Sequence, residues 1–215
     1  MKLSKRLKYI ADLIEDCRYQ HIYDTCCDHG YLGMSIAGKN PNVEVFLLDV
    51  NFNIVENLKQ KVTQQNIKTL CLDAALIEVG IKKSLVILAG IGGELAAKII
   101  KEILQNALSP STLDFIVAAN NKNFHVRHEL SKLGYRSYKE SLIIDKNIGY
   151  EIIFSKFMIG DVFDLAGEKM IDLKDLDHRL YIQKQKELYF TKAKFDHSFK
   201  NLADCYEKIL NKFLI

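Results

Sequence analysis

The sequence has 215 residues and lacks any apolar run approaching the roughly 18 residues that a membrane-spanning helix requires. Its first stretch, Met1 to Lys8, is basic but carries no apolar segment of the kind a secretory signal uses. A cytoplasmic protein without a membrane partner is therefore expected. Cysteine is sparse and unpatterned. Cys17, Cys26, Cys27, Cys71 and Cys205 form an odd set without framework spacing, which excludes a disulfide scaffold. No C-x-x-C or second ligand pair accompanies Cys26-Cys27-Asp28-His29, and adjacent residues cannot readily all converge on one ion, so no metal is expected. Proline occurs only twice and no tract is of low complexity. With 48% hydrophobic and 27% charged residues, what is left is one main core and room for a small appendage.

The formal charge of +3 proves little by itself, but its distribution is uneven. Lys2, Lys5, Arg6 and Lys8 come with no acid among them. Residues 120–139 carry Lys122, Arg127, Lys132, Arg136 and Lys139 against Glu129 alone. Such clusters suit a polyanionic partner, with a merely solvated surface as the plain alternative.

Periodicity orders the chain. Leu3, Leu7, Ile10, Leu13 and Ile14 predict a helix over 3–17. The runs HIYDTC, VEVFLLD, KTLCLD, SLVILAG and LDFIVAAN predict five strands, with helices at LGMSIAGK, 52–66, 93–106 and 124–133 between or after them. Two further strands, YRSYKESLIID and GYEIIFSKF, flank Lys146-Asn147-Ile148 as a β-hairpin. Strands alternating with helices give a Rossmann-like α/β fold, a mostly parallel sheet with an antiparallel hairpin at one edge. The division expected is 1–159 for this domain and 160–215 for a helical appendage, read as two packed helices or a coiled coil. Its stripe is Phe199, Leu202, Ala203, Tyr206, Ile209, Leu210 and Phe213, with Tyr181, Leu188 and Phe195 as a weaker seam.

In an open α/β sheet, ligands bind beyond the carboxyl ends of the strands. The stretch DTCCDHGYLG, 24–33, falls there, as do Asp49, Asp73, Gly90 to Gly93 and Asn120. Asp49 ends the second strand, where an acid can take both ribose hydroxyls of an adenosine; a helix cap is the alternative. Asp73 ends the third and can accept from an adenine amino group, or simply cap a turn. A dinucleotide fingerprint would need glycines near 26, 28 and 31, where Cys26, Asp28 and Tyr31 stand. Acidic Asp24 and Asp28 repel phosphate and suit a cation. S-adenosylmethionine has no phosphate, carries a sulfonium and an ammonium, and needs the same adenosine contacts.

LSKRL at 3–7, DTCCDHGYL at 24–32, AGIGG at 89–93 and YEI at 150–152 occur together in order and spacing. In this the sequence resembles the bacterial tRNA (adenine-N1)-methyltransferases of the TrmK type, which modify adenine 22 of tRNA. The resemblance covers about residues 1–157, and that family too carries a C-terminal helical element. It implies that Asp24, Cys26, Asp28, His29 and Tyr31 line the methionine end of S-adenosylmethionine, that Asp49 holds the ribose and Asp73 the adenine, and that Gly90, Gly92 and Gly93 wall the methyl-transfer cleft. Two departures mark a divergent member: Cys26-Cys27 replaces Gly-Ser, and Ala118-Ala119-Asn120 replaces Gln-Pro-Asn. The catalytic set expected is Asp28, Asn120 and Tyr31, with Asn120 or Asp28 accepting from the exocyclic amine of the base and Tyr31 stacking. Lys5, Arg6, Lys122 and Arg127 are the expected tRNA contacts. A monomer, or a weak dimer through the C-terminal helices, fits the appendage. A methyltransferase on a small molecule or protein, and a non-catalytic RNA-binding protein that keeps the fold, are the alternatives.

Overall fold

The computed structural model describes residues 3–14 and 18–212. Lys5–Leu13 form α1, opened by Ser4, whose hydroxyl accepts from the Leu7 amide at 3.3 Å. The alternation expected from the sequence follows: β1 (His21–Thr25), α2 (Tyr31–Lys39), β2 (Glu44–Asp49), α3 (Phe52–Lys61), β3 (Ile67–Cys71), β4 (Ser84–Ala89), α4 (Gly93–Asn106), β5 (Leu113–Ala118) and α5 (Asn123–Lys132). The hairpin is β6 (Tyr135–Asp145) and β7 (Ile148–Phe157), turned at Lys146 and Asn147, both with positive φ. That pair of left-handed residues matches the twist of the flanking strands.

The seven strands lie in the order β3-β2-β1-β4-β5-β7-β6. The first five are parallel, and β7 joins antiparallel to both β5 and β6. The order reverses between β1 and β4, which opens a crevice at their carboxyl ends. The central strands are buried on both faces, hence their unbroken apolar sequences: every residue of β5 is buried. One apolar layer gathers Val86, Leu88, Phe115 and Val117 with α4 and α5. The other gathers Val45, Leu47, Ile87 and Ile116 with α1 and α2.

The helices expected after residue 160 are α6 (Leu176–Ala193) and α7 (Lys200–Asn211), joined by a short turn. They share a third apolar cluster containing Ile182, Tyr189, Leu202, Ala203, Tyr206 and Ile209. The α7 stripe stands as read; Phe213 lies outside the described residues. The α6 seam needs correction. Leu188 is 44% and Phe195 89% exposed, and the buried positions are Ile182 and Tyr189. The buried face of α6 is thus rotated by one residue from the seven-residue spacing, because α6 packs on the sheet as well as on α7. Tyr181 lies on that second contact: its hydroxyl donates to Glu151 Oε1 at 2.6 Å.

Candidate functional site

The loop after β1 is held from two sides. Asp24, the fourth residue of β1 and 3% exposed, accepts from the Gly33 amide in α2 at 2.8 Å. A side chain at Gly33 would run into Leu47 and the Asp24 carboxylate, so glycine is required there. From the other side, Leu48 O accepts from the Cys27 amide at 3.1 Å, and Asp49 accepts from the Asp28 amide at 3.3 Å and the Asn51 amide at 2.9 Å. Cys26 and Asp28 both adopt positive φ, 52° and 50°. A left-handed backbone favours glycine, and Cys26 adopts it at a cost.

The loop opens on a cavity of about 410 Å³ lined by Arg6, Leu7, Asp24, Cys26, Cys27, Asp28, His29, Tyr31, Leu32, Ala89, Gly90, Asn120 and Tyr150. The elements thus bring together Asp24, Cys26, Asp28, His29, Tyr31, Gly90 and Asn120, all singled out from the sequence. Asp49, at the end of β2, holds the loop through the Asp28 amide and is not among the lining residues. Asp73 accepts from the Ala75 amide at 2.9 Å, the capping geometry left open above, and buried Ala74 follows it. Gly92 caps α4, and Gly93 packs against the backbone of Asn121 and Lys122, where a side chain would not fit.

Asp24 and Asp28 line the cavity together with Arg6. Burial pushes the Asp24 carboxyl up to about 7, partly offset by the Gly33 N–H. Burial also raises the Cys26 thiol, with Asp49, Asp73 and Asp24 adding to the effect, and raises Cys27 further, with Asp24 and Asp49 adding. Thiols held protonated in this way are packing groups rather than nucleophiles. Among the described residues, no group of three or more His, Cys, Asp or Glu side chains is arranged to hold a metal.

Of the expected tRNA contacts, one lines the cavity and one is buried. Arg6 faces inward: Nη1 donates to Asn120 Oδ1 at 3.1 Å, and its guanidinium lies 4.5 Å from the centre of the Tyr150 ring. Arg127, expected on the RNA surface, is 1% exposed and so is no surface contact. Nη2 lies 2.6 Å from Glu140 and Nη1 2.7 Å from Glu151, and the charges that make Arg127 look like a surface residue are neutralised inside. Its helix carries the missed signal: Asn123, Val126, Arg127 and Leu130 are the buried face of α5 at helical spacing. Lys122 has positive φ and pairs with Glu94 at 2.6 Å. Lys5 is exposed at the start of α1. Tyr150 and Glu151, present in the YEI stretch but given no role above, belong to this region.

Asn120 is tied on both sides of its amide, since Nδ2 donates to Gly90 O at 2.6 Å. It also lines two further cavities, of about 340 and 570 Å³, on the side of β7 and α6.

Comparison with known proteins gives the following. A family model described as a methyltransferase domain matches residues 3–153. A curated Mycoplasma genitalium protein named "Putative tRNA methyltransferase MG248" is 26% identical over 181 residues, 80% of this chain and 81% of that one. Among solved structures, the B. subtilis M1A22 tRNA methyltransferase TrmK is similar at TM-score 0.73 and 20% identity, covering 100% of this chain and 99% of that one. M. capricolum TrmK in complex with S-adenosyl-homocysteine is similar at TM-score 0.74 and 18% identity, over 99% and 98%. At these identities the two structures speak to the fold, which they share from end to end.

Proposed function

The chain belongs to the methyltransferase-domain family, and from that premise we propose that it methylates N1 of an adenine in tRNA, adenine 22 by its resemblance, using S-adenosylmethionine. The observation that carries the reading is the pairing of two carboxylates, Asp24 buried at the end of β1 and Asp49 at the end of β2, around a loop without the glycines a phosphate needs. The donor set fits a phosphate-free cationic adenosine ligand. The full-length likeness to tRNA methyltransferases supports tRNA as the acceptor.

When bound, S-adenosylmethionine supplies an electrophilic methyl group. The chain's residues orient and enclose. Ionised Asp24 pairs with the ammonium of the methionine end. Asp49 takes the ribose hydroxyls, and Asp73 with Ala74 and Ala75 borders the adenine. Gly90, held by Asn120, leaves the transfer line open. Adenine N1 already carries a lone pair, so alignment contributes more than a base would; holding two reactants in line is worth roughly 7–11 kcal/mol. Tyr31, 38% exposed beside the loop, is placed to stack on a ring. Lys5 and Lys8 on α1, with Lys139 on β6 over the Tyr9 ring at 5.9 Å, form the basic face for the RNA backbone.

In this reading residues 1–159 perform the transfer and 160–215 shape the acceptor side, in a cytoplasmic protein that is a monomer or weak dimer. No helix among the described residues is long and apolar enough to cross a membrane. Transfer of a tritiated methyl group to bulk tRNA, followed by nucleoside analysis, tests the proposal. Labelled 1-methyladenosine is expected, and label in small molecules or protein alone overturns it.

A further inference from the structure

Between the β5–α5 turn, the start of β7 and the helical pair lies a cavity of about 340 Å³. Asn120, Asn123, Glu151, Tyr181, Tyr189 and Lys192 are among its lining residues. Asn120 also walls the cofactor cavity, so the two spaces meet at one side chain. Asn123 is 8% exposed, and its Oδ1 is buried without a hydrogen-bond partner. A buried acceptor left unpaired costs stability, and where it persists in a cavity wall a ligand or a water supplies the donor. Glu151 Oε2 also lacks a hydrogen-bond partner, but it lies in charge contact with Arg127 Nη1 at 2.7 Å, and Oε1 accepts from Tyr181.

We propose that this cavity is the subsite of the unstacked acceptor base, and that Asn123 Oδ1 accepts the N–H of its exocyclic amine. The assignment rests on the adenine-methylating function above. Asn120, the first choice for that role, has its Oδ1 on Arg6 and its Nδ2 on Gly90 O, so its amide is already committed to shaping the junction. Of the two buried unpaired acceptors among the described residues, Glu151 Oε2 has the Arg127 charge beside it, and Asn123 Oδ1 is left without a partner of either kind. The remaining walls suit a planar heterocycle: Tyr189 stacks on Tyr206 with ring centres 5.7 Å apart and planes 10° apart, and Tyr181 lies against Gly149. Lys192, 5.1 Å from the Tyr189 ring centre, brings a positive charge for the attached phosphate. Drawing the amine toward Asn123 fixes the orientation of the ring and hence of N1.

The experiment starts with wild-type protein and bulk tRNA, in which the methylated position is mapped. Synthetic tRNAs then carry adenosine or purine riboside, which lacks the amine, at that position. Single-turnover rates are compared for wild type, Asn123→Ala and Asn123→Asp, with cofactor affinity by calorimetry. The lower intrinsic reactivity of the purine ring is common to all three proteins and cancels. The adenosine-to-purine rate ratio should fall about tenfold in Asn123→Ala, the usual worth of one buried hydrogen bond, with cofactor affinity unchanged. Asn123→Asp, which keeps the acceptor, should hold the ratio. An unchanged ratio in Asn123→Ala overturns the subsite while leaving the function standing. Should the alanine variant not fold, loss of the ratio in Asn123→Asp overturns it equally. A wild type that methylates no adenosine in tRNA overturns both.

Discussion

Arg6 Nη1 donates to Asn120 Oδ1 at 3.1 Å across 114 residues of sequence. The first helix thereby reaches over the crevice and fixes a side chain at the end of β5, while Asn120 in turn fixes Gly90 at the end of β4. The basic N-terminal cluster is thus divided: Arg6 lines the cavity, while Lys5 and Lys8 are exposed. Arg6→Ala is expected to lower turnover by the equivalent of about 1–2 kcal/mol, as for loss of one charge-assisted hydrogen bond. It should leave the salt dependence of tRNA binding nearly as it was. Filter binding across a salt series, beside single-turnover rates, checks this; a flattened slope with normal turnover would return Arg6 to the RNA surface.

That slope is the measure for Lys5 and Lys8. Each phosphate contact removed reduces the dependence of binding on salt by about one unit of log–log slope. Replacing both lysines with alanine should weaken tRNA binding and flatten the slope. An unaltered slope would move the RNA to another face.

Asp49→Ala should weaken S-adenosylmethionine binding by about 1.5–3 kcal/mol, because a charged acceptor is lost. The loop will also loosen, since Asp49 holds the Asp28 amide. Cys26→Gly is expected to act in the opposite sense. It removes a side chain from a left-handed backbone, which typically relieves about 1 kcal/mol. Calorimetry that finds the glycine variant unable to bind, in a folded protein, would mean that the thiol contacts the ligand.

Asp24 gives a pH dependence of definite sign. Its carboxyl is raised to about 7 in the folded chain, against an ordinary carboxylate value when unfolded. Between those values the folded state binds the extra proton, so the contribution of Asp24 to stability is full at low pH and is lost as pH rises through about 7. Cofactor binding runs the other way, because the ammonium needs the ionised form. Affinity should therefore climb from pH 6 to pH 8 (values on the order of one unit either side of that carboxyl) while this part of the stability declines. Asp24→Asn should keep the bond from Gly33, melt higher than wild type at alkaline pH, and bind the cofactor poorly. A variant that melts lower at alkaline pH would show that the buried charge is already compensated.

Much of this was readable from sequence for a simple reason. Strands such as β4 and β5 are buried on both faces, so their apolar runs are unbroken and their polar ends, Gly90 and Asn120, mark the crevice by position alone. What escaped were partnerships made across long separations. Arg6 shares α1 with exposed lysines, and nothing near it in sequence announces Asn120. The α6 face was misplaced because Tyr181 and Ile182 answer to different neighbours, Glu151 of the sheet and the α7 helix. Asn123 was invisible because an unpaired acceptor is a property of its surroundings, not of its residue type.

Arg127 tests the same point energetically. Its guanidinium bridges Glu140 on β6 and Glu151 on β7, and Glu151 receives the Tyr181 hydroxyl from α6. Burial works against the charge on Arg127, but Glu151 and Glu140 hold the guanidinium protonated. Replacing it with leucine leaves two buried carboxylates facing each other, a change that typically costs about 3–5 kcal/mol. In a protein of this size that corresponds to a fall in Tm on the order of 10 °C. Replacing Arg127, Glu140 and Glu151 together with leucine should recover part of the loss, because the desolvation of all three charges disappears along with their attraction. Arg127→Lys should fall between, since one ammonium cannot span both carboxylates as the planar fork does. None of these variants, measured well below its Tm, should change the salt slope of tRNA binding. A folded, thermally normal Arg127→Leu with a reduced slope would place Arg127 at the RNA after all, and would mean that the Glu140–Glu151 pair is held by something other than its charge.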